Sequence, residues 1–555
     1  MRSFPFSFSD SAGCPDFGPG VRRSPVFAQK CMAAASQPQA VQAGLSMLAQ
    51  GGTAADAAIA MAAVLAVIEP CSTGLGGDAF ALYYDASCAQ VAGLNGSGRS
   101  PKALSLELVK KRCGAELPPR HPLCVTVPGA LSAWCALLER YGRLPLEQVL
   151  APALSCAREG FSVGPVTSML WKEGESVLRV AGGQELLKNG RAPRPGEVMY
   201  SPGMERVLTG LSRAGTPAAA HELFYAGEFA ADIVQAVQER GGVLERSDMA
   251  AHHCDWADSV STVYQGMTVH ECAPNGQGIT ALIALNILQA LRESGVDMRD
   301  EAMRLHMQIE AMRQAFALSR EHVTDPRAMH ARPEQLLSRD LAARCARQIF
   351  MDRRNVSINA QPLPSSDTVY FCVVDAEGNA CSMVNSCYMT FGTGIVPKMT
   401  GFAVQNRGHN FSLDPLHDNV LAPEKRPYHT IIPGLMTYAD GSLAGPFGVM
   451  GGFMQPQGHV QVLSSLLDDG YDPQCALDRG RFCIESGSPQ GLVALEESVP
   501  EQLRNAVSAL GHPVRCVRGY ERGLFGRGQC ILRNPTTGFL CAGSDARADG
   551  CAFGF

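Results

Sequence analysis

The sequence predicts an α+β fold in which a helix-rich first part gives way to a strand-rich second part at residue 368. Three observations carry this. Apolar residues recur at helical spacing over 40–67, 129–160 and most of 200–350. Composition then turns polar over 352–367, DRRNVSINAQPLPSSD, a linker with two prolines. Beyond it, short apolar runs alternate with Gly-rich turns, the pattern of strands.

Taken in order, residues 1–30 are rich in Pro, Gly and Ser and are expected to be loose. Pro5, Ser7, Ser9 and Asp10 interrupt the one stretch that a secretory signal would need, so a cytoplasmic protein is expected. QAGLSMLAQGG closes a helix on Gly51 and Gly52. AADAAIAMAAVLAVIEP is a buried helix, too short and too small-sided to span a bilayer, so no membrane partner is expected. PCSTGLGGDAFALYY is a Gly-rich turn entering a strand at 79–84. It lacks the Lys-Ser/Thr of a phosphate loop and disfavours nucleotide binding. Residues 129–160 read as two amphipathic helices joined at 142–145. After the linker come two strands joined by a turn at 375–379, with helical patterns returning near 457–468 and 500–510.

At 555 residues the chain exceeds one ordinary core, so two domains or one large layered domain is expected. A net charge of −6 without a basic run gives no electrostatic support for nucleic-acid binding. The 20 cysteines contain no CxxC pair and read as reduced, mostly buried thiols. HHC at 252–254 has no matching second half, so no metal site is expected and no cofactor is implied.

Three pieces carry chemistry. Asp367 and Thr368 stand where the linker meets a strand. NSCYMTFGTGIV is a Gly-punctuated loop after the second strand. EKRPYHTIIPG precedes FGVMGGFMQPQGH, in which Gly451 and Gly452 interrupt an apolar run. Singly each has a structural reading, since Thr starts many strands and Gly pairs mark many turns. Together they fit an N-terminal-nucleophile hydrolase. Cleavage before Thr368 frees an α-amino group beside its hydroxyl, and that amine supplies the base a lone hydroxyl needs. Amides of Gly451 and Gly452 can approach an oxyanion because no Cβ intervenes.

These residues sit in a longer series of motifs: QAGLSMLAQGGTAADAAIA, GLGGDAF, VPGALSAWCALLERYG, LAPALSCAREGF, DTVYFCVVDAEGNACSMVNS, FGTGIV, KRP and MGG. In this order they resemble the gamma-glutamyltranspeptidase (glutathione hydrolase) family, over roughly residues 30 to 545. VQNRGHNFSLDP, KRPYHTIIP and FGVMGGFMQPQGHVQV resemble most closely the YwrD-like branch, which includes oxamate amidohydrolases. The resemblance implies a four-layer αββα sandwich and one chain cut into a large subunit, 1–367, and a small one, 368–555. It places Thr368 on the family's nucleophile, Gly451 and Gly452 on the oxyanion pair, and Ser386 where transpeptidases have a hydrogen-bonding Thr. A homodimer of processed units is a further expectation.

Departures concern the substrate. His429 and Thr430 stand where transpeptidases hold the glutamyl carboxylate with a Ser pair. The family's Arg aligns with Ser97, leaving Arg99 two positions on as the candidate. Tyr388 replaces an Asn, Arg407 a Gln and Asn410 an Asp, while Asn406 remains polar. Val369 replaces a second Thr. The segment between Ser412 and Lys425 is short for a lid. The first reading is a γ-glutamyl hydrolase or transpeptidase acting on glutathione or related amides. The alternative is an amidohydrolase of oxamate or another carboxylate-bearing amide. A third is a non-catalytic relative.

Overall fold

The computed structural model describes residues 23–358 and 368–555. Two seven-stranded sheets lie at its centre. The first orders Cys551–Gly554, Met32–Ala35, Val369–Val374, Ala380–Ser386, Asp78–Asp85, Gln90–Gly96 and Asp255–Asp258. The second orders Val26–Ala28, Leu540–Ser544, Arg527–Arg533, Leu443–Met450, Gly434–Thr437, Met267–Glu271 and Val260–Tyr264. Both are antiparallel, and each draws strands from both sides of residue 368.

Side-chain alternation along one strand builds the layers. Tyr370, Cys372 and Val374 point to the space between the sheets, where they meet Leu435, Met450 and Ile531. Val369, Phe371 and Val373 point the other way, into a core shared with helices Ala54–Ile68 and Ala130–Tyr141. On the far side, Phe447, Val449 and Leu532 pack with helices Gly278–Glu293, Glu301–His322 and Met454–Leu467. The result is a four-layer αββα sandwich. Each fully buried Val, Leu or Phe in it contributes about 1.5–3 kcal/mol.

Helix Ala54–Ile68 shows why the sequence folds this way. Every residue of it is buried, and small side chains let it lie close to the sheet. Thr53 caps it in a reciprocal box with Asp56. Another N–H at its start without a partner inside the helix, that of Ala54, donates to Asp375 Oδ2 at 2.9 Å, from the hairpin turn between the two strands that follow Thr368. Cys272, Cys372, Cys381 and Cys530 are buried and unbridged, and burial raises all four thiols, so they pack as small apolar groups.

Residues 200–350 are mostly helical, as expected, and also hold three strands that the pattern did not show, Asp255–Asp258, Val260–Tyr264 and Met267–Glu271. Gln265 and Gly266, both at positive φ (49° and 79°), make the tight hairpin turn between the last two. The loose start does not reach residue 30, since Val26–Ala28 pairs with the edge strand through Ala542, Cys541 and Leu540. Residues 1–22 and 359–367 lie outside the described residues. No described helix is long and apolar enough to cross a membrane.

Candidate active site

The pairing of Val369–Val374 with Ala380–Ser386 sets Val369 opposite Asn385. Thr368 precedes the first strand and Ser386 ends the second, so the register brings these two together. The next pairing sets Ser386 opposite Asp78. Thr368, Ser386 and Asp78 thus form a row across one end of the sheet, all fully buried. Thr368 Oγ1 donates to Ser386 Oγ at 3.1 Å.

Arg407 reaches this row from a short turn, Arg407–Asn410. Its Nη2 donates to Ser386 Oγ at 3.3 Å and its Nη1 to Thr430 Oγ1 at 2.7 Å. The guanidinium lies over the Tyr388 ring, 4.6 Å from its centre. The Tyr388 amide also donates to Ser386 Oγ, at 2.9 Å. Tyr388 itself is held at φ 76°, a left-handed conformation costing about 1–2 kcal/mol for a residue with a Cβ. Burial presses the Arg407 pKa down to about 10, which leaves it a cation at neutral pH. Among the described residues no carboxylate pairs directly with it, and its Nε is buried without a hydrogen-bond partner.

The compensating charge is Asp78. Its Oδ1 accepts from the amides of Gly98 and Gly129 at 3.1 and 3.0 Å and from Gln405 Nε2 at 2.9 Å. Its Oδ2 accepts from His429 Nε2 at 3.0 Å. Burial works to raise the carboxyl, but the His429 hydrogen bond and the nearby cation Arg407 outweigh it, and the pKa falls below the ordinary value. The pKa of His429 also falls. Burial and the Arg407 charge outweigh Asp78 and push it down to about 3, so it is a neutral donor and does not titrate near pH 7. Its Nδ1 accepts from the Ile431 amide at 3.3 Å, which fixes the tautomer.

Gly451 and Gly452 turn the chain from strand Leu443–Met450 into helix Met454–Leu467 at φ 130° and 58°. A Cβ on Gly451 would lie 3.0 Å from the Gly526 Cα, so both conformation and space demand glycine there. Among the described residues neither glycine's N–H donates a hydrogen bond. Two unspent amides on one turn are rare in a folded interior. Gln277 ties this turn to the Arg407 side of the site, donating to Gly452 O at 2.8 Å and to Thr430 O at 2.6 Å. A hydroxyl, a polarising cation and a pair of open amides are the parts that acyl transfer requires.

The gamma-glutamyltranspeptidase family model matches residues 40–555. The chain belongs to the gamma-glutamyltranspeptidase family. It is 34% identical to the glutathione hydrolase-like YwrD proenzyme of Bacillus subtilis, over 95% of this chain and 99% of that one. It is 32% identical to the oxamate amidohydrolase proenzyme of Klebsiella pneumoniae, over 94% and 98%. The crystal structure of cephalosporin acylase from Bacillus halodurans superposes with a TM-score of 0.88 at 42% identity, covering 98% of this chain and 99% of that chain.

Set against the transpeptidase family's pattern, the remaining sequence candidates divide. Ser386, Tyr388, Arg407, His429 and Thr430 meet around Thr368. Arg99 does not join them: its guanidinium pairs with Asp325 and donates to Glu424 O at 3.3 Å. Asn406 spends its amide on structure, donating to Pro119 O at 2.6 Å and accepting from the Met389 amide at 3.3 Å. Asn410 donates to Tyr428 O at 3.1 Å, while its Oδ1 is buried without a partner. Asp367 lies outside the described residues.

Asp78 and Gln277 were not singled out from the sequence, although GLGGDAF and NGQG contain them. A buried acid at a strand start and a Gln between glycines were the available signals. Elsewhere, His306, Glu310 and His512 gather ligand atoms within 4.8 Å. His306 Nδ1 and His512 Nε2 are 2.7 Å apart, a hydrogen bond and shorter than the roughly 3.4 Å between two nitrogens on a tetrahedral zinc. Arg313 Nε lies 3.6 Å from Glu310 Oε1, so the carboxylate already has its cation.

Proposed function

We propose that the chain is an autoprocessed threonine amidohydrolase whose substrates are amides carrying, on the acyl side, a carboxylate with no neighbouring ammonium. Processing begins with attack of Thr368 Oγ1 on the carbonyl of Asp367. The C–N bond breaks, an ester replaces it, and water hydrolyses the ester to leave a free α-amino group on Thr368. In turnover the same hydroxyl attacks the substrate carbonyl and its proton passes to that amine. The Gly451 and Gly452 amides stabilise the oxyanion. The amine then protonates the leaving nitrogen, and water resolves the acyl-enzyme. No step in this scheme calls for a metal or an organic cofactor.

The observation that carries the substrate class is Arg407. It is a buried cation, one hydrogen bond from Ser386 Oγ, which Thr368 Oγ1 also contacts. A carboxylate beside the scissile carbonyl gains a charge-assisted partner there, whereas an α-ammonium is repelled. This favours an oxamate- or succinamate-like acyl group over γ-glutamyl. A γ-glutamyl substrate retains one supporting feature, the open Asn410 Oδ1, which can accept from an ammonium.

The test compares kcat/KM for succinamate, oxamate and γ-glutamyl amide with the processed protein. A rate for the two carboxylate amides at least tenfold above the γ-glutamyl amide is expected. The reverse order would return the γ-glutamyl reading to first place.

A further inference from the structure

Gln277 is fully buried at the start of helix Gly278–Glu293, and its side chain serves two parts of the site at once. The segment it ends, 275–277, lies alongside 428–430, with Gly276 paired to His429 in parallel. The Gln277 amide donates to His429 O at 2.9 Å, and the His429 amide to Asn275 O at 2.9 Å. Asn275 Nδ2 adds a bond to Pro427 O at 2.7 Å. None of these bonds reaches the oxyanion turn. The Gln277 side chain does, and its NH2 group has two hydrogens to give. One goes to Thr430 O at 2.6 Å, the other to Gly452 O at 2.8 Å.

These two carbonyls stand at the two ends of the acyl site. Thr430 Oγ1 accepts from Arg407 Nη1 at 2.7 Å, so fixing the Thr430 backbone fixes one support of the cation. Gly452 has no Cβ and sits at φ 58°, and a glycine does not hold its own conformation. Its carbonyl also accepts from the Gln455 amide at 3.2 Å, but that bond lies within the turn and the helix that follows it. The Gln277 bond instead refers the turn to the Arg407 side. The Tyr428 hydroxyl donates to Gln277 Oε1 at 3.2 Å, which turns the amide nitrogen toward both carbonyls.

Resting on the amidohydrolase reading, we infer that Gln277 is a positioning residue that sets the acyl chain length the site accepts. A bound substrate places its carbonyl oxygen at the Gly451 and Gly452 amides and its carboxylate at Arg407. The number of carbons between those two groups must match the gap between turn and cation. Oxamate has none, malonamate one and succinamate two. Discrimination needs the partners held to within about 0.5 Å, and one added carbon–carbon bond is roughly 1.5 Å. Gln277 bridges turn and cation arm with one side chain whose donors are both spent on protein carbonyls. It therefore sets the gauge without taking part in the chemistry.

The test measures kcat/KM for oxamate, malonamate, succinamate and glutaramate with processed wild type, Gln277→Met and Tyr428→Phe. Thermal midpoints accompany the rates. The ratios between lengths do not depend on how much of a sample is folded, so a loss of fold alone cannot move them. Wild type should favour one length at least about tenfold over its neighbours, the worth of a charge-assisted bond made at that length alone. Gln277→Met keeps the side-chain length but has no N–H, and should bring the best length and its neighbours to within about threefold. Tyr428→Phe should flatten the profile less, in the same direction. A wild type equally active on all lengths, or a Gln277→Met profile of wild-type shape, overturns the inference while leaving the amidohydrolase reading intact. Where Gln277→Met does not fold, a wild-type profile in Tyr428→Phe overturns it in the same way. No turnover of any of these amides by the wild type sinks both.

Discussion

Arg407 and Thr368 touch the same atom. Ser386 Oγ takes Arg407 Nη2 at 3.3 Å and the Thr368 hydroxyl at 3.1 Å, so the cation is linked to that hydroxyl through one intervening oxygen. Ser386→Ala removes that relay and leaves buried donors unpaired, at about 1–3 kcal/mol for each. A fall in kcat of about tenfold or more is expected, with chain cleavage still complete, read by steady-state kinetics beside gel analysis. Unchanged kcat would take Ser386 out of the mechanism.

Arg407→Gln tests the charge itself. It keeps a donor for Thr430 and removes the cation. The ratio of γ-glutamyl to succinamate turnover should rise by at least tenfold. A ratio that stays constant would mean that Arg407 serves only the fold.

Thr368→Ala removes the hydroxyl on which the proposed cleavage and turnover both depend. Its denatured mass should be a single 59.1 kDa chain, while the wild type gives two fragments meeting before Thr368. A wild type that stays whole after long incubation would favour a non-catalytic relative.

Gly452→Val places a branched side chain at φ 58° on the turn whose amides are open. The amide itself remains, but a Cβ that displaces it from a developing oxyanion should cost as much as losing one oxyanion donor, about 100- to 1000-fold in kcat. Normal turnover in this variant would remove the turn from the mechanism.

His429 gives a pH signature. Its pKa is about 3 in the fold against an ordinary 6.5, so between these values the unfolded chain binds the extra proton. Stability from this group is present above pH 6.5 and is lost as pH falls toward 3, with a slope of at most about 1.4 kcal/mol per pH unit. Asp78, also depressed, works in the same direction below its ordinary 3.8. His429→Gln keeps a donor for Asp78 and cannot protonate. Urea midpoints from pH 7 to 4 should therefore fall less steeply in the variant, and parallel curves would contradict the assignment.

Much of this was legible in the sequence because it is local. The helix over 54–68 announces itself by small residues and a Thr-Asp cap. Thr368 and Ser386 were matched through the family resemblance, and the short turn at 375–379 fixes the hairpin register that brings them together. The rest is set by contacts that local pattern does not encode. Asp78 meets His429 across 351 positions and Gln277 meets Gly452 across 175. Arg99 shows the opposite error: proximity to a motif suggested a ligand, yet Asp325, 226 residues away, claims its guanidinium. The strands at 255–271 were hidden by the helical stretches on either side, although Gln265 and Gly266 carried a hairpin signal.

Each sheet interleaves strands from before and after residue 368. A cut ahead of Thr368 therefore frees two new chain ends without freeing either piece, since every neighbouring strand stays hydrogen-bonded in place. Refolding, however, changes order. The uncut chain regains its sheets in a unimolecular reaction, whereas the cut one must first find its other half. Its recovery from denaturant then depends on protein concentration. The proposed cut would thus turn a protein that can repair itself alone into one whose lifetime is set by how slowly it unfolds.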